Sequence, residues 1–102
     1  MTRAPIVGLV AALTGTTPAL ADYPFCLCRK QADAIVCRAG FSDGETAEGA
    51  ALEVVADDGT TLSRMRFGAD STLSFKPPTG GYYVLFDAGP GLSLEIDPRD
   101  IR

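Results

Sequence analysis

The chain has 102 residues, 46% hydrophobic and 22% charged, with 13 acidic and 9 basic side chains and a formal net charge of −4. An acidic surface repels phosphate backbones, which excludes nucleic acid as a partner. The chain contains no histidine, and this excludes the Ser-His-Asp and Cys-His arrangements of nucleophilic catalysis.

The first 21 residues have the pattern of a cleaved signal peptide. Arg3 precedes an apolar run over residues 4–13, and Ala19-Leu20-Ala21 supplies the small residues of a cleavage site. The run of about ten residues is half the length of a membrane-spanning helix. We therefore predict a mature chain of residues 22–102, periplasmic or secreted, with no transmembrane segment. The loss of Arg3 makes its net charge −5.

After residue 21, short runs with alternating polar and apolar residues are separated by Gly, Pro and Asp, which is typical of β-strands. Helical signals are nearly absent. The predicted strands are 25–30, 34–38, 51–56, 61–67, 72–76, 82–86 and 92–97. They predict an all-β fold for residues 22–102: one small antiparallel seven-stranded β-sandwich domain of prealbumin or immunoglobulin type.

Several runs predict further detail. Residues 25–38 have the pattern of a hairpin, and Asp58-Gly59 is the tight turn of another, because glycine readily takes a positive φ. The nearly all-apolar run 82–86 predicts a central strand buried on both faces. In run 92–97 we expect all three aliphatic side chains to point inward, and we expect residues 98–102 to be a frayed end.

Three cysteines, Cys26, Cys28 and Cys37, lie within the first predicted hairpin. Cys26 and Cys28 are two residues apart on a strand and point to the same face, and Cys37 can lie opposite one of them. In an oxidising compartment one disulfide would staple the hairpin and leave one thiol over. Two alternatives stay open: the three thiolates bind a soft metal, Cu(I) or Zn(II), or the leftover cysteine forms an intermolecular disulfide. No other cofactor is expected.

Candidate partner-binding residues lie in two polar loops and on one aromatic strand. Asp43 and Glu45 belong to the loop after the hairpin, and Asp87 opens an Asp-Ala-Gly-Pro-Gly segment. If Tyr83 faces outward, it can anchor a protein partner, since tyrosine is enriched at interface hot spots. Every carboxylate falls in a turn or on an exposed strand face, so no acid–base pair is recognisable.

The second half of the chain carries a family resemblance. From Gly49 to Ile96 it runs strand, Asp58-Gly59 turn, strand, Asp70 turn, strand, and then Pro77-Pro78-Thr79-Gly80-Gly81-Tyr82-Tyr83-Val84. This order resembles the carboxypeptidase-regulatory-like, transthyretin-like (prealbumin) β-sandwich modules. The resemblance implies a sandwich fold and a non-catalytic role, so we do not expect an enzyme.

The Cys-x-Cys…Cys hairpin is followed by Gly40-Phe41-Ser42-Asp43-Gly44, and a later segment is Phe86-Asp87-Ala88-Gly89-Pro90-Gly91. These features resemble small exported bacterial proteins, some of which accompany nickel or cobalt uptake systems. The resemblance implies an accessory module whose partner is a protein, such as a membrane transport complex. The first functional hypothesis is therefore a non-catalytic binding or accessory module. The second is a metal-binding or metal-delivery domain that uses Cys26, Cys28 and Cys37.

Overall fold

The computed structural model describes residues 23–102, and the predicted signal peptide, residues 1–21, lies outside them. The described residues form seven β-strands and one short 3-10 helix. The strands are β1 (Pro24–Gln31), β2 (Ala34–Phe41), β3 (Ala51–Ala56), β4 (Thr61–Arg66), β5 (Thr72–Phe75), β6 (Tyr82–Gly89) and β7 (Leu92–Ile96), and the helix is Pro98–Asp100. Each observed strand overlaps its predicted run, so the all-β prediction is confirmed.

The strands form two antiparallel sheets, as predicted. One sheet has the order β1-β2-β5 and the other has the order β4-β3-β6-β7. A two-residue turn joins β1 to β2, and Ala32 in this turn takes a φ of +59°. The Asp58-Gly59 turn between β3 and β4 is confirmed, with Gly59 at a φ of +94°.

One apolar layer between the two sheets holds the fold together. Alternation along the strands turns every second side chain inward. The buried inward residues of β2, β3 and β6 are Ile35, Cys37, Ala39, Leu52, Val54, Val84 and Phe86. The rings of Phe67 and Phe86 meet edge to face with centroids 5.4 Å apart. Burial of each large apolar side chain in this layer contributes roughly 1.5–3 kcal/mol.

Five aspartates close turns in the same way. In each turn, a carboxylate oxygen accepts a hydrogen bond from the backbone N–H two residues later. The pairs are Asp43 with Glu45, Asp58 with Thr60, Asp70 with Thr72, Asp87 with Gly89 and Asp97 with Arg99, at 2.8–3.1 Å. Five of the 13 acidic side chains are thus committed to local backbone geometry.

In three of these turns the pKa of the carboxyl group is lowered, because hydrogen bonds to the charged form favour ionisation. The backbone N–H of Thr60 lowers the pKa of Asp58. The hydroxyl and then the N–H of Thr72 lower the pKa of Asp70. The Arg99 guanidinium and then its N–H lower the pKa of Asp97 to about 2.

The burial predicted for β6 is only half correct. β6 is an inner strand of its sheet, and Val84 and Phe86 point into the core with no exposed surface. Tyr83 and Leu85 point the other way and are only half-buried. The apolar run suggested two covered faces, but in residues 23–102 no second layer covers the outer face of this sheet.

In β7 the inward prediction holds for two of three residues. Leu94 and Ile96 pack against the core, whereas Leu92 is exposed. The pairing of β6 with β7 is irregular between Asp87 and Gly89, and Leu92 pairs with Gly89 beyond this irregularity. Leu92 therefore lies at the end of the sheet, past the edge of the core.

The C-terminal residues are docked, and the prediction of a frayed end is wrong. Asp97 caps the 3-10 helix, and Ile101 is part of the core with 3% of its surface exposed. The carbonyl of Arg102 accepts a hydrogen bond from the N–H of Lys30 at 2.9 Å. One aliphatic side chain among polar neighbours gives no periodic signal, so only the packed structure identifies Ile101 as a core residue.

Replacing Ile101 by alanine tests the docked tail. We expect Ile101→Ala to lower the free energy of unfolding by about 2–4 kcal/mol, because it leaves a cavity in the core. Urea unfolding measures this change. Arg102→Ala is the matched control, since it keeps the backbone carbonyl, and it should change the free energy by less than about 0.5 kcal/mol. Equal effects of the two substitutions would contradict the docking of Ile101.

Candidate functional site

The three cysteines converge at the middle of the β1–β2 hairpin. The register places Cys28 directly opposite Cys37, with Cα atoms 4.0 Å apart. Pairs alternate between hydrogen-bonded and non-hydrogen-bonded positions from the turn outward, and this pair falls at a non-hydrogen-bonded position, where side chains lie closest. A disulfide joins Cys28 to Cys37, so the predicted staple is confirmed.

Cys26 is the thiol left over. It lies on the same inward face as Cys28, and the two Sγ atoms are 4.0 Å apart. Cys26 is buried within the core. This burial disfavours the thiolate and raises the pKa of Cys26 to about 11. At neutral pH Cys26 is therefore a protonated, slowly reacting thiol, and an intermolecular disulfide would require it to leave the core first.

The sulfur cluster has dimensions that suit a soft metal. The Sγ atoms of Cys26, Cys28 and Cys37 all lie within 4.8 Å of one another. A zinc ion with Zn–S bonds of about 2.3 Å holds its sulfurs roughly 4 Å apart. In the disulfide state, two of the three sulfurs are bonded to each other and supply no thiolate. The residues therefore fit Cu(I) or Zn(II) only after the disulfide is reduced.

The loop before β3 and the end of β6 line an open depression of about 350 Å³ beside the four-stranded sheet, which we call the loop depression. Residues 46–50 line one wall and residues 87–89 line the opposite wall. Arg64 and Arg66 of β4 also line the depression. The Arg66 guanidinium donates a hydrogen bond to the carbonyl of Gly49 at 2.8 Å, which ties the loop before β3 to β4.

Ion pairs set the position of Arg64. Its guanidinium pairs with Glu53 and lies 3.8 Å from a carboxylate oxygen of Asp87. Exposed pairs of this kind contribute only about 0–1 kcal/mol, so their main effect is to orient the guanidinium. Asp87 also accepts the N–H of Gly89 at 3.1 Å. Asp87 thus shapes one wall of the depression and faces Arg64.

The four predicted partner-binding residues do not form one site. Tyr83 lies on the outer face of β6, opposite Val55 of β3, so it faces outward as its proposed role requires. Asp87 lines the loop depression. Glu45 lines a separate depression against the three-stranded sheet, and Asp43 is exposed at the turn where it accepts the N–H of Glu45.

Sequence reasoning did not identify Arg64 and Arg66 as site residues. The alternation of β4 places both on the face opposite Met65, so their exposure is predictable from a local pattern. Their position near Asp87 depends on the order β4-β3-β6. No local pattern encodes that order, because β6 pairs with β3 across a long stretch of chain.

Comparisons with protein-family models, with curated proteins and with solved structures each find no match to this chain. Fold and site define a small two-sheet antiparallel β-sandwich whose first hairpin is stapled by a disulfide. This architecture is compatible with the sandwich modules that the sequence resembles. Among residues 23–102, no helix is long and apolar enough to cross a membrane.

The buried thiol should make unfolding depend on alkaline pH. The folded-state pKa of Cys26 is about 11, above the ordinary value of 9.0, so folding favours the protonated thiol. This contribution is fully present below pH 9 and is lost as the pH rises through 11. Urea unfolding should therefore show a steeper loss of stability over this range in the wild type than in Cys26→Ala. If the free energy of unfolding fell equally with pH in the wild type and in Cys26→Ala, Cys26 would not be a buried, protonated thiol.

Proposed function

We propose that the protein is a non-catalytic binding module that acts outside the cytoplasm and recognises a protein partner through the loop depression. The signal-peptide pattern of residues 1–21 supports export. The Cys28–Cys37 disulfide supports it as well, since disulfides persist in oxidising compartments. The observation that carries the proposal is that the loop before β3 and the end of β6 meet Arg64 and Arg66 in one depression.

The loop depression has the features of a preorganised recognition surface. Binding residues concentrate on loops that a rigid scaffold positions. Here Gly49 is held by Arg66, and Gly89 is held by Asp87. Walls that are already ordered lose less conformational entropy when a partner binds. The planar guanidinium groups suit a carboxylate, so an acidic loop of a protein is the partner chemistry that this surface favours.

The state of the aspartates supports a non-catalytic role. A general base works best with a pKa near the operating pH. The pKa values of Asp58, Asp70 and Asp97 are shifted downward by the hydrogen bonds that close their turns. These carboxylates are weak bases, and each is hydrogen-bonded within its own turn. They are therefore poorly suited to proton transfer, which favours surface recognition as the function.

A finer form of the proposal assigns the module to the carboxypeptidase-regulatory-like, transthyretin-like type. In this form it serves a membrane transport complex for nickel or cobalt. The turn and strand motifs between Gly49 and Ile96 support the type, together with the two-sheet antiparallel architecture. The segments 40–44 and 86–91 support the link to metal uptake, through the resemblance to exported accessory proteins.

Photo-crosslinking in the exporting cell tests the loop depression. A photoreactive residue in place of Glu48, on the rim, should give a crosslinked protein of higher mass. The same residue in place of Leu62, exposed at the other end of β4, should not. Adding Arg66→Glu should reduce the crosslink from position 48 by about tenfold, because the substitution reverses one charge and removes the hydrogen bond to Gly49.

The controls separate the general proposal from its finer form. Thermal unfolding should show that the Arg66→Glu variant is folded. Mass spectrometry of the crosslinked partner should identify a subunit of a nickel or cobalt transporter if the finer form is correct. Equal crosslinking from positions 48 and 62, or a crosslink that is insensitive to Arg66→Glu, would contradict recognition at the loop depression.

A second candidate function, soft-metal binding or delivery, is favoured by the sulfur cluster. Three sulfurs within 4.8 Å of one another form a trigonal thiolate set once the Cys28–Cys37 bond is reduced. The hairpin backbone already places all three on one face. Metal capture would then depend on the redox state of the hairpin, because oxidation removes two of the three ligands.

Metal titration of reduced and oxidised protein distinguishes this candidate. Fully reduced protein should bind one Cu(I) per chain, measured by competition with a chromophoric chelator under anaerobic conditions. Cys26→Ala should weaken this binding by at least about tenfold, since it removes one of three ligands. Oxidised protein should bind none. Equal affinity of reduced wild type and Cys26→Ala would show that the three sulfurs do not act together.

A further inference from the structure

The three-stranded sheet is basic within an acidic protein. The chain has 13 acidic residues, yet none lies in β1, β2 or β5. The same strands carry Arg29, Lys30 and Arg38. The sheet therefore presents positive charge with no carboxylate of its own, which favours partners of negative charge.

The outer face of this sheet also exposes apolar surface between its cations. Leu27, Arg29, Val36, Arg38 and Thr72 line a cleft of about 280 Å³. Leu27 is 59% exposed. Among the described residues, the ion pairs involve neither Arg29 nor Arg38. The cleft thus combines an exposed leucine with two cations that lack a counter-charge.

The free edge of β1 adjoins this face. β1 pairs only with β2 in its sheet. The N–H of Lys30 points away from β2, since it donates to the carbonyl of Arg102. Cys28 and Cys26 lie two and four residues before Lys30. Because alternate residues of a strand direct their backbone groups to the same edge, the N–H and C=O groups of Cys28 and Cys26 also point to the free edge. Among the backbone hydrogen bonds of residues 23–102, the one from Lys30 to the tail engages this edge, and those of Cys26 and Cys28 do not. A strand edge with unpaired backbone groups is a template for another strand.

We propose that the edge of β1 accepts an extended acidic segment of a partner protein as an added strand. The segment's backbone pairs with Cys26 and Cys28. One of its outward side chains lies beside Leu27 and is apolar, and the next outward side chain lies beside Arg29 and is a carboxylate. This surface belongs to the other sheet from the loop depression, so the proposal extends the proposed function without depending on it.

A second copy of this chain suits the edge less well. Antiparallel pairing of β1 with β1 of another copy would gather Arg29 and Lys30 of both copies in one continuous sheet. A second copy would bring no carboxylate to this surface, so the repulsion among these cations would stay uncompensated. An acidic segment removes this repulsion and supplies the missing counter-charge, so a heterologous acidic strand is the occupant that charge complementarity selects.

A pair of synthetic peptides provides the test. The probe is end-blocked Thr-Glu-Thr-Val-Thr-Glu-Thr-Val, whose glutamates and valines share one face as a strand, and its control has lysine in place of glutamate. Hydrogen exchange by NMR should show the Cys26 and Cys28 amides protected at least about tenfold by the glutamate peptide and not by the lysine peptide. Added salt should weaken the binding.

Charge-reversal variants locate the contact. Arg29→Glu combined with Arg38→Glu should weaken binding of the glutamate peptide by about tenfold. Lys76→Glu makes the same charge change directly after β5, at the opposite edge of this sheet, and should leave binding unchanged. Equal binding of the two peptides, or unchanged exchange at Cys26 and Cys28, would overturn the proposal. So would sedimentation equilibrium that shows a dimer with these amides already protected, because the occupant would then be a second copy.

Discussion

The two sheets share a single apolar layer, and the other features of the molecule follow from it. A domain of about eighty residues buries only about 60–65% of the surface that its unfolded chain exposes, so each strand can bury one face. A slip of one residue would turn every inward side chain to the solvent. The same alternation therefore keeps Cys37 and Ile35 in the core and Arg38 outside it.

The thin core gives the disulfide its importance. Cys28 and Cys37 are nine residues apart, and closing a loop of about ten residues restricts the unfolded chain by roughly 2–3 kcal/mol. This is a large share of the 5–15 kcal/mol that stabilises a typical domain. Cys26 lies beside the disulfide as a buried protonated thiol, so one cluster combines a structural bond with a potential third ligand.

The distribution of charge follows from the use of aspartate in turns. Each of five carboxylates closes a turn through a backbone N–H two residues later, and these turns lie at strand ends. These five carboxylates thus lie at strand ends, where Asp87 faces Arg64. The charged side chains in the strands of the three-stranded sheet are all basic. An acidic composition therefore coexists with a basic sheet surface.

The sequence by itself determined the seven strands, the Asp58-Gly59 turn and the shared face of Cys26 and Cys28, because these depend on alternation and on residues that favour turns. The tertiary structure alone decided that β3 lies between β4 and β6, that Ile101 is core and that the outer face of β6 is uncovered. It also decided that Cys28, rather than Cys26, lies opposite Cys37. Pairing between distant strands and packing of the tail depend on contacts across the whole chain, which no local periodicity contains.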